Sequence, residues 1–445
     1  MCAQEVVRSM LKRMVIMLVC VLLCLGFSGC DLLETDVHNL LDAPKLEGDI
    51  YPIQQALEKA VGGNFTFKYP TAGDYRSALI LNDLDSDGQD EAVALYSTTA
   101  ETVITLHINV IDSSDHEWKS VGDLSLVGNG VENVSFADLD SDGRPEILVG
   151  WMLYGTAEKQ LGVYSFDGKQ LSQRVLEPYT DFLCADLTGD GKNELSVVHL
   201  NVAEQKASAK VFSLVSKGVK ELGTVPLDGG VTSYFKPVLS TLENKTPALY
   251  IDAVKGTGML TEIIWFEDKV LHSAFDLERP EASPTYRESA ISCRDFDDDG
   301  IIDIPLMQLL SSTENLPETD KVYYTNWSVF DGQNIKTLYH TFMNYTDGYY
   351  ITVDPSIKEK LFLTRKTEAR LRTFFGYNPD TELAVDELFR IVTVSAPDYD
   401  SGSNVPAGFT LIERTDKLVY LAKITDNNSL MITQETLSNM FSLIN

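Results

Sequence analysis

The sequence predicts a mainly β protein made of five four-stranded repeats, followed by a small C-terminal α+β domain. Two observations lead to this prediction. An acidic nine-residue phrase recurs along the chain at steps of about fifty residues, and short apolar runs of strand character flank each copy. Four-stranded units in series are typical of a β-propeller, and we expect a closed ring of five to seven blades.

The phrase has carboxylates at positions 1, 3, 5 and 9 and glycine at position 6, and its well-formed copies define loop I (83–91), loop II (138–146), loop III (186–194) and loop V (295–303). Alternating carboxylates suit a hard cation, glycine permits the sharp turn, and the position-7 carbonyl can add an oxygen. The predicted ligands are Asp83, Asp85, Asp87, Gln89 and Glu91 in loop I; Asp138, Asp140, Asp142, Arg144 and Glu146 in loop II; Asp186, Thr188, Asp190, Lys192 and Glu194 in loop III; and Asp295, Asp297, Asp299, Ile301 and Asp303 in loop V. We therefore predict up to four Ca²⁺ ions, with a weaker third site because Thr188 is neutral.

The first three copies begin 55 and 48 residues apart, whereas loop V begins 109 residues after loop III. A degenerate copy fills this double step. It begins at Thr241, keeps Leu242 and Pro247, and has Lys245 and Ala248 in place of ligands. We call residues 241–247 loop IV and expect it to bind no ion.

Residues around the loops predict strands, because apolar side chains lie two and four positions before each loop. These pairs are Leu79/Leu81, Val134/Phe136, Phe182/Cys184 and Ile291/Cys293. Asp167-Gly168 and Asp331-Gly332 predict hairpin turns farther along their repeats. An EF-hand is excluded, since it requires flanking helices and a glutamate at position 12.

The phrases beginning at Asp83 and Asp138 resemble FG-GAP repeats, also called VCBS repeats, of the integrin-alpha N-terminal propeller type. The resemblance covers about residues 65–340. It implies a cation loop between the first two strands of each blade and a rigid binding or spacing scaffold. More loosely, residues 40–45 and 69–77 resemble the start of VCBS-repeat lipoproteins of bacteria.

The chain carries 36 Lys and Arg against 66 Asp and Glu, a formal charge of −30. Nucleic acid is therefore excluded as an expected partner, because its phosphates attract basic proteins.

The N-terminus predicts an export signal. Basic residues precede an apolar run from Met14 to Phe27, which ends in Phe27-Ser28-Gly29-Cys30 and resembles a bacterial lipobox. We predict a signal peptide (1–29), a lipid on Cys30 that anchors the protein to the membrane of the cell envelope, and a tether with a short helix (30–64). An uncleaved anchor and ordinary secretion are the alternatives.

The propeller is predicted over residues 65–344 and the α+β domain over 345–445. A sixth, irregular blade is the rival interpretation of the latter. Residues 65–67 can form a strand that completes the last blade, and Thr433 can cap a helix with an apolar stripe from Leu437 to Ile444. Four tryptophans and the two later cysteines, Cys184 and Cys293, are predicted to pack in cores.

The leading functional hypothesis is a binding, adhesion or scaffold module for an unidentified glycan, wall polymer or protein. The sequence has no G-x-S-x-G or H-E-x-x-H motif, and its six histidines are scattered. The chain is therefore predicted not to be an enzyme. A polysaccharide-active enzyme and a purely structural subunit of an envelope complex remain as alternatives.

Overall fold

A computed structural model of the chain describes residues 50–100, 103–114, 117–155, 158–215, 218–274, 283–366, 369–403 and 405–444. The predicted signal peptide, Cys30 and most of the tether lie outside these residues. None of the helices in the described part is long and apolar enough to cross a membrane.

The described residues fall into two compact units. The smaller one holds helix α1 (Ile50–Val61) and residues 113–120. Ile53 and Leu57 are its buried side chains. The helix ends where Gly62 adopts a positive φ of 82° and donates its N–H to the Glu58 carbonyl.

The described strands form six antiparallel sheets. The first consists of β1 (Thr66–Phe67), β2 (Leu79–Asn82), β3 (Glu91–Ala100), β4 (Val103–Ser114) and β5 (Glu117–Val127). Strand β1 pairs with β3 in this first sheet, so the prediction that it completes the last blade is wrong. Aromatic packing accounts for its position, since the Phe65 ring lies 5.4 Å from that of Tyr96 on β3.

Sheets two to four follow the same strand order. The second sheet contains β6 (Gly130–Ala137), β7 (Glu146–Met152), β8 (Lys159–Phe166) and β9 (Leu171–Tyr179); the third contains β10 (Asp181–Ala185), β11 (Glu194–Asn201), β12 (Lys206–Val215) and β13 (Gly218–Leu227); the fourth contains β14 (Ser233–Tyr234), β15 (Val238–Thr241), β16 (Pro247–Lys255), β17 (Gly258–Glu267) and β18 (Val270–Ser273). The predicted turn at Asp167-Gly168 joins β8 to β9.

The last two sheets have five strands each. The fifth sheet contains β19 (Ile304–Leu309), β20 (Tyr323–Phe330), β21 (Ile335–Asn344), β22 (Tyr349–Val353) and β28 (Phe441–Leu443); the sixth contains β23 (Leu361–Lys366), β24 (Leu371–Asn378), β25 (Leu383–Ser395), β26 (Thr410–Arg414) and β27 (Leu418–Ile424). The division of the chain at residue 345 stays a prediction.

Each loop from I to IV joins two consecutive paired strands of its sheet, which are β2 and β3, β6 and β7, β10 and β11, and β15 and β16. At these loops Leu81 pairs with Ala92, Phe136 with Ile147, Cys184 with Leu195 and Thr241 with Pro247. The fifth repeat differs, because its predicted first strand is reduced to one bridge between Arg294 and Asp303. Before that bridge, the Cys293 N–H donates to the Asp252 carboxylate rather than to a neighbouring strand.

Apolar clusters join each sheet to the next. Five clusters draw buried residues from two consecutive sheets: they join Ile108 with Trp151, Val163 with Phe212, Val211 with Ile251, Tyr250 with Phe330, and Tyr324 with Phe374. Serial antiparallel sheets of four or five strands that pack face to face form a β-propeller, as the sequence predicted.

Two short helices accompany the C-terminal strands. Helix α2 (Ala396–Asp400) follows β25, and helix α3 (Gln434–Met440) begins at Thr433, whose hydroxyl accepts the Thr436 N–H as predicted. The predicted apolar stripe is only partly helical. Phe441 lies in β28, where it pairs with Ile351 and stacks on Tyr349.

Candidate metal centres

All four acidic loops use the first aspartate to tie the loop closed. Its Oδ2 accepts the backbone N–H of the glycine at position 6, at 3.1 Å in loop I, 3.0 Å in loop II and 2.8 Å in loops III and V. These glycines have φ between 86° and 89°, a left-handed conformation that disfavours other residues. The glycine therefore fixes both the turn and the orientation of the first carboxylate.

The aspartate at position 5 holds the next part of the loop. Its Oδ1 accepts the backbone N–H of position 7, at distances from 2.7 to 2.9 Å in the four loops. Asp87, Asp142, Asp190 and Asp299 all make this bond, so the four loops share one backbone path.

The acid at position 9 is buried. Glu91, Glu146, Glu194 and Asp303 are between 1% and 3% exposed. One oxygen of each accepts the backbone N–H of position 2, at 2.7 to 3.0 Å. The position-9 acid thus connects the second strand of the repeat to the start of its loop.

The four loops each bring three carboxylates to within 4.8 Å of one another. The clusters are Asp83, Asp85 and Glu91; Asp138, Asp140 and Glu146; Asp186, Asp190 and Glu194; and Asp295, Asp297 and Asp299. Of the other predicted ligands, Thr188 donates its hydroxyl to Glu194, 3.3 Å away. Clusters of this kind can hold a metal ion.

Several carboxylate oxygens of the four acidic loops lack a protein partner. Asp83 Oδ1, Asp140 Oδ1 and Asp303 Oδ1 are buried and accept no hydrogen bond. A buried anionic oxygen without a donor is unfavourable, and a bound cation would supply the missing contact. The donor set contains oxygen alone, which suits a hard divalent cation and fits the predicted group.

Burial raises the pKa of the position-9 acids Glu91, Glu146, Glu194 and Asp303, and nearby carboxylates add to the effect. Burial raises the pKa of Glu91 to about 7, with Asp85 and two further aspartates adding to the effect. Burial likewise raises the pKa of Asp303 to about 7, together with the charges of Asp297, Asp299 and Asp295. A cation would offset this repulsion and favour the ionised forms.

Loop II contains a feature that the motif did not predict. Arg174, on β9, places Nη1 3.5 Å from Asp140 Oδ2, and their side chains are only 12% and 3% exposed. Arg174 also donates to Ser165 Oγ and the Gly218 carbonyl, which fixes its position. Because Arg174 is distant along the chain from loop II, the pairing of β7 with β8 and of β8 with β9 brings it to the cluster.

Loop II also holds a second guanidinium. Arg144 forms an ion pair with Asp142, and this hydrogen bond lowers the pKa of Asp142. Arg144 was predicted to contribute only its backbone carbonyl. Its side chain also partly neutralises loop II.

Loop IV closes without carboxylates. The Leu242 N–H donates to the Thr246 carbonyl and the Lys245 N–H to the Leu242 carbonyl, both at 2.8 Å. It belongs to none of the acidic clusters in the described part of the chain. The turn itself therefore does not require an ion.

The loops also connect neighbouring sheets. Ser86 of loop I donates its hydroxyl to the Gly143 carbonyl of loop II at 2.6 Å, and Ser240 donates to the Gly300 carbonyl of loop V at 3.2 Å. An ion that fixes one loop would consequently stiffen the contact between two sheets.

The predicted core residues lie largely inside. Trp151, Trp265 and Trp327 are buried, whereas Trp118 is partly exposed. Cys184 and Cys293 are free thiols, and burial raises the pKa of both, that of Cys184 to about 12. Such thiols are poor nucleophiles at neutral pH.

No family model matches the chain, and no curated protein matches it significantly. Solved structures similar to it include the rhamnogalacturonan lyase YesW, with 14% identity and a TM-score of 0.33 over 71% of this chain and 69% of the lyase. The periplasmic gluconolactonase PpgL of Pseudomonas aeruginosa has 12% identity and a TM-score of 0.24 over 72% of this chain and 87% of its own. The Dos1 propeller has 9% identity and a TM-score of 0.27 over 63% of this chain and 64% of its own.

The prediction that the chain is not an enzyme is corrected here. The similar structures include lyases and a lactonase, so the lack of hydrolase motifs does not exclude catalysis on this architecture. Their activities remain properties of those proteins.

Proposed function

We propose that the chain is a calcium-binding β-propeller of the FG-GAP or VCBS type that presents a binding or scaffold surface outside the cytoplasm. Its ligand would be a glycan, a wall polymer or a protein. The four acidic clusters carry this proposal, because each combines three carboxylates within 4.8 Å.

Calcium is the ion that these ligands favour. All ligand atoms are oxygens, and calcium accepts six to eight of them in flexible geometry, whereas magnesium requires a near-ideal octahedron. Zinc favours imidazole and thiolate, which these clusters lack. Extracellular modules hold calcium with dissociation constants of about 10⁻⁴ to 10⁻³ M, which suits the millimolar calcium of an external compartment.

The N-terminal sequence supports an extracytoplasmic location. The apolar run that ends at Cys30 favours export and lipid attachment, and the two later cysteines are free rather than paired. With no disulfide between these two cysteines, bound ions would supply rigidity in its place.

The ions would serve the structure rather than contact the ligand directly. Loops I and V each bond to a neighbouring repeat, through Ser86 and Ser240. Calcium would therefore hold adjacent blades in fixed orientation and keep a ligand surface formed by several blades in shape.

The decisive experiment measures thermal unfolding of the purified chain in EDTA and in millimolar calcium, with elemental analysis of bound metal. The double variant Asp85→Ala/Asp140→Ala removes one ligand from each of two loops. The control Asp380→Ala/Asp416→Ala makes the same charge change at exposed acids outside the loops.

Calcium should raise the melting temperature of the wild type and of the control, and less so that of the loop variant. No calcium response, together with no bound metal, would refute the calcium proposal. Binding to glycan arrays and isolated wall polymers should then be measured in calcium, with product analysis on any polysaccharide that binds. Saturable binding without products supports the binding module, whereas released oligosaccharides would replace it by an enzyme.

A further inference from the structure

A cavity of about 610 Å³ lies beside the fifth sheet, and its lining residues include no carboxylate of the clusters. Its volume is within the range of small-molecule sites, about 300 to 1,000 Å³. Residues 289–294 form one wall, and side chains of β19, β20 and the end of β21 form the other. The predicted ions would not occupy this space.

Arg294 is the charged residue of this cavity. Its guanidinium carbon lies 5.1 Å from the ring centroid of Trp327 and 5.7 Å from that of Phe296, and these two rings are stacked at 4.4 Å. The aromatic pair supports the cation through its π face and fixes its position. Arg294 is thus held as a rigid cationic group.

No acid neutralises this guanidinium within the described residues, since Arg294 forms no ion pair there and its Nε is buried without a hydrogen-bond partner. The chain has nearly twice as many acidic as basic residues, so the missing carboxylate is informative. Ser289 Oγ, which also lines the cavity, is likewise buried and unpartnered. Two unsatisfied polar groups in one cavity indicate a ligand that accepts their hydrogen bonds.

The remaining walls are mainly apolar. Ile291, Met307 and Met343 line the cavity, and Tyr345 lies at its rim with 51% of its surface exposed. Methionine side chains adapt to irregular apolar shapes, and tyrosine adds a flat amphipathic contact.

We propose that this cavity binds a small organic carboxylate with an aromatic or aliphatic body. The carboxylate accepts hydrogen bonds from Arg294, and a planar guanidinium can hold it through two parallel bonds. Ser289 donates a further bond, and the body of the ligand packs between Met307 and Met343. Arg294 directly precedes Asp295 of loop V, but the proposal of a carboxylate site does not rest on the proposed calcium function.

The experiment is a calorimetric titration of the full chain with phenylacetate, with the uncharged phenylacetamide and with glucuronate, a hydroxylated acid. Phenylacetate should bind at least tenfold more tightly than either other compound, because only it combines the charge with an apolar body. Arg294→Gln should abolish the preference for the acid over the amide. Arg414→Gln makes the same charge change in an exposed ion pair with Asp400 and should leave binding unchanged.

A second variant covers the case in which Arg294→Gln fails to fold. Ala290→Trp starts from an exposed position that lines the cavity and should block it, with loss of phenylacetate binding at an unchanged melting temperature. The proposal is overturned if phenylacetate does not saturate the protein, or if it binds no better than phenylacetamide. Stronger binding of glucuronate than of phenylacetate would refute the claim that the ligand has an apolar body. Unchanged phenylacetate binding by Ala290→Trp would refute the claim that the ligand binds in this cavity.

Discussion

Loops II and V carry the same motif but differ in how their charge is balanced. In loop II, Arg144 pairs with Asp142 and Arg174 lies 3.5 Å from Asp140. Among the described residues, no basic side chain forms an ion pair with an acid of loop V, where Tyr339 donates its hydroxyl to Asp297 at 2.9 Å. Loop II is partly neutralised by the protein, whereas loop V has no such counter-charge among the described residues.

This difference shows that the nine-residue phrase determines the backbone path of the loop but not how much of its negative charge stays uncompensated. The bonds from glycine to the first aspartate are nearly equal in both loops, 3.0 Å and 2.8 Å. What differs is the pair of guanidinium groups in loop II, one from Arg144 within the loop and one from Arg174 on a later strand. Four predictions test the contrast.

The largest effect is expected from removing the first ligand of each loop. Asp295→Ala should reduce the calcium-dependent part of the unfolding free energy by about 2 kcal/mol, and Asp138→Ala by about 1 kcal/mol. The loss is greater in loop V because calcium also relieves its uncompensated repulsion. Urea unfolding in calcium and in EDTA measures both increments, and equal losses would contradict the contrast.

Neutralising one acid of loop V and one acid of loop II should change the stability of the calcium-free protein in opposite directions. Asp297→Asn keeps the acceptor for Tyr339 and removes repulsion, so it should stabilise the calcium-free protein by about 0.5 kcal/mol. Asp140→Asn leaves Arg174 without its carboxylate and should destabilise it by about 1 kcal/mol. Chemical unfolding in EDTA measures both changes in the free energy of unfolding. If both changes had the same sign, Arg174 would not compensate the charge of loop II.

Removing the guanidinium should improve calcium binding by loop II. In Arg174→Gln, Asp140 is released from its ion pair, so calcium affinity should rise about threefold, less than 1 kcal/mol. Calorimetric titration of calcium gives the affinity. Arg414→Gln serves as the control for net charge, and an equal gain there would assign the effect to general electrostatics.

Glu262 can distinguish the effect of burial on stability from the effect of cation binding, because it is fully buried and lies outside the acidic clusters. Burial raises its pKa to about 8, although Asp228 N–H and the Tyr234 hydroxyl donate to it. The folded state therefore keeps a proton that the unfolded state loses near pH 4.5, so this group lowers stability as pH rises from about 4.5 to 8.

In Glu262→Gln this contribution disappears. The variant should gain stability relative to the wild type between pH 6 and 8, by about 1 kcal/mol, and the gain should be the same in EDTA and in calcium. Unfolding measured across pH in both media tests this. A gain that depends on calcium would link Glu262 to an ion site.

Short-range sequence patterns predicted much of the site. The spacing of acids and glycine predicted the four acidic loops, and the structure closes each through bonds within nine residues. Loop IV was correctly aligned despite having lost its acids, because Leu242 and Pro247 retain their places beside the strands.

Long-range features were not predictable from the motif. The first strand of the fifth repeat was expected from Ile291 and Cys293, yet the Asp252 side chain takes the Cys293 N–H. Similarly, residues 65–67 joined the first sheet rather than the last because Phe65 packs on Tyr96. Both outcomes depend on side chains that lie far away in sequence.

The sequence by itself determined the repeat, the loops and the positions of their carboxylates, since these follow from local alternation and turn geometry. Only the tertiary structure decided which loop has an internal counter-charge and where Arg294 meets its aromatic support. Both depend on the pairing of strands that bring Arg174 to Asp140 and Trp327 to Arg294. Charge and cavity are properties of that packing, because electrostatic energy depends on distance and burial rather than on order along the chain.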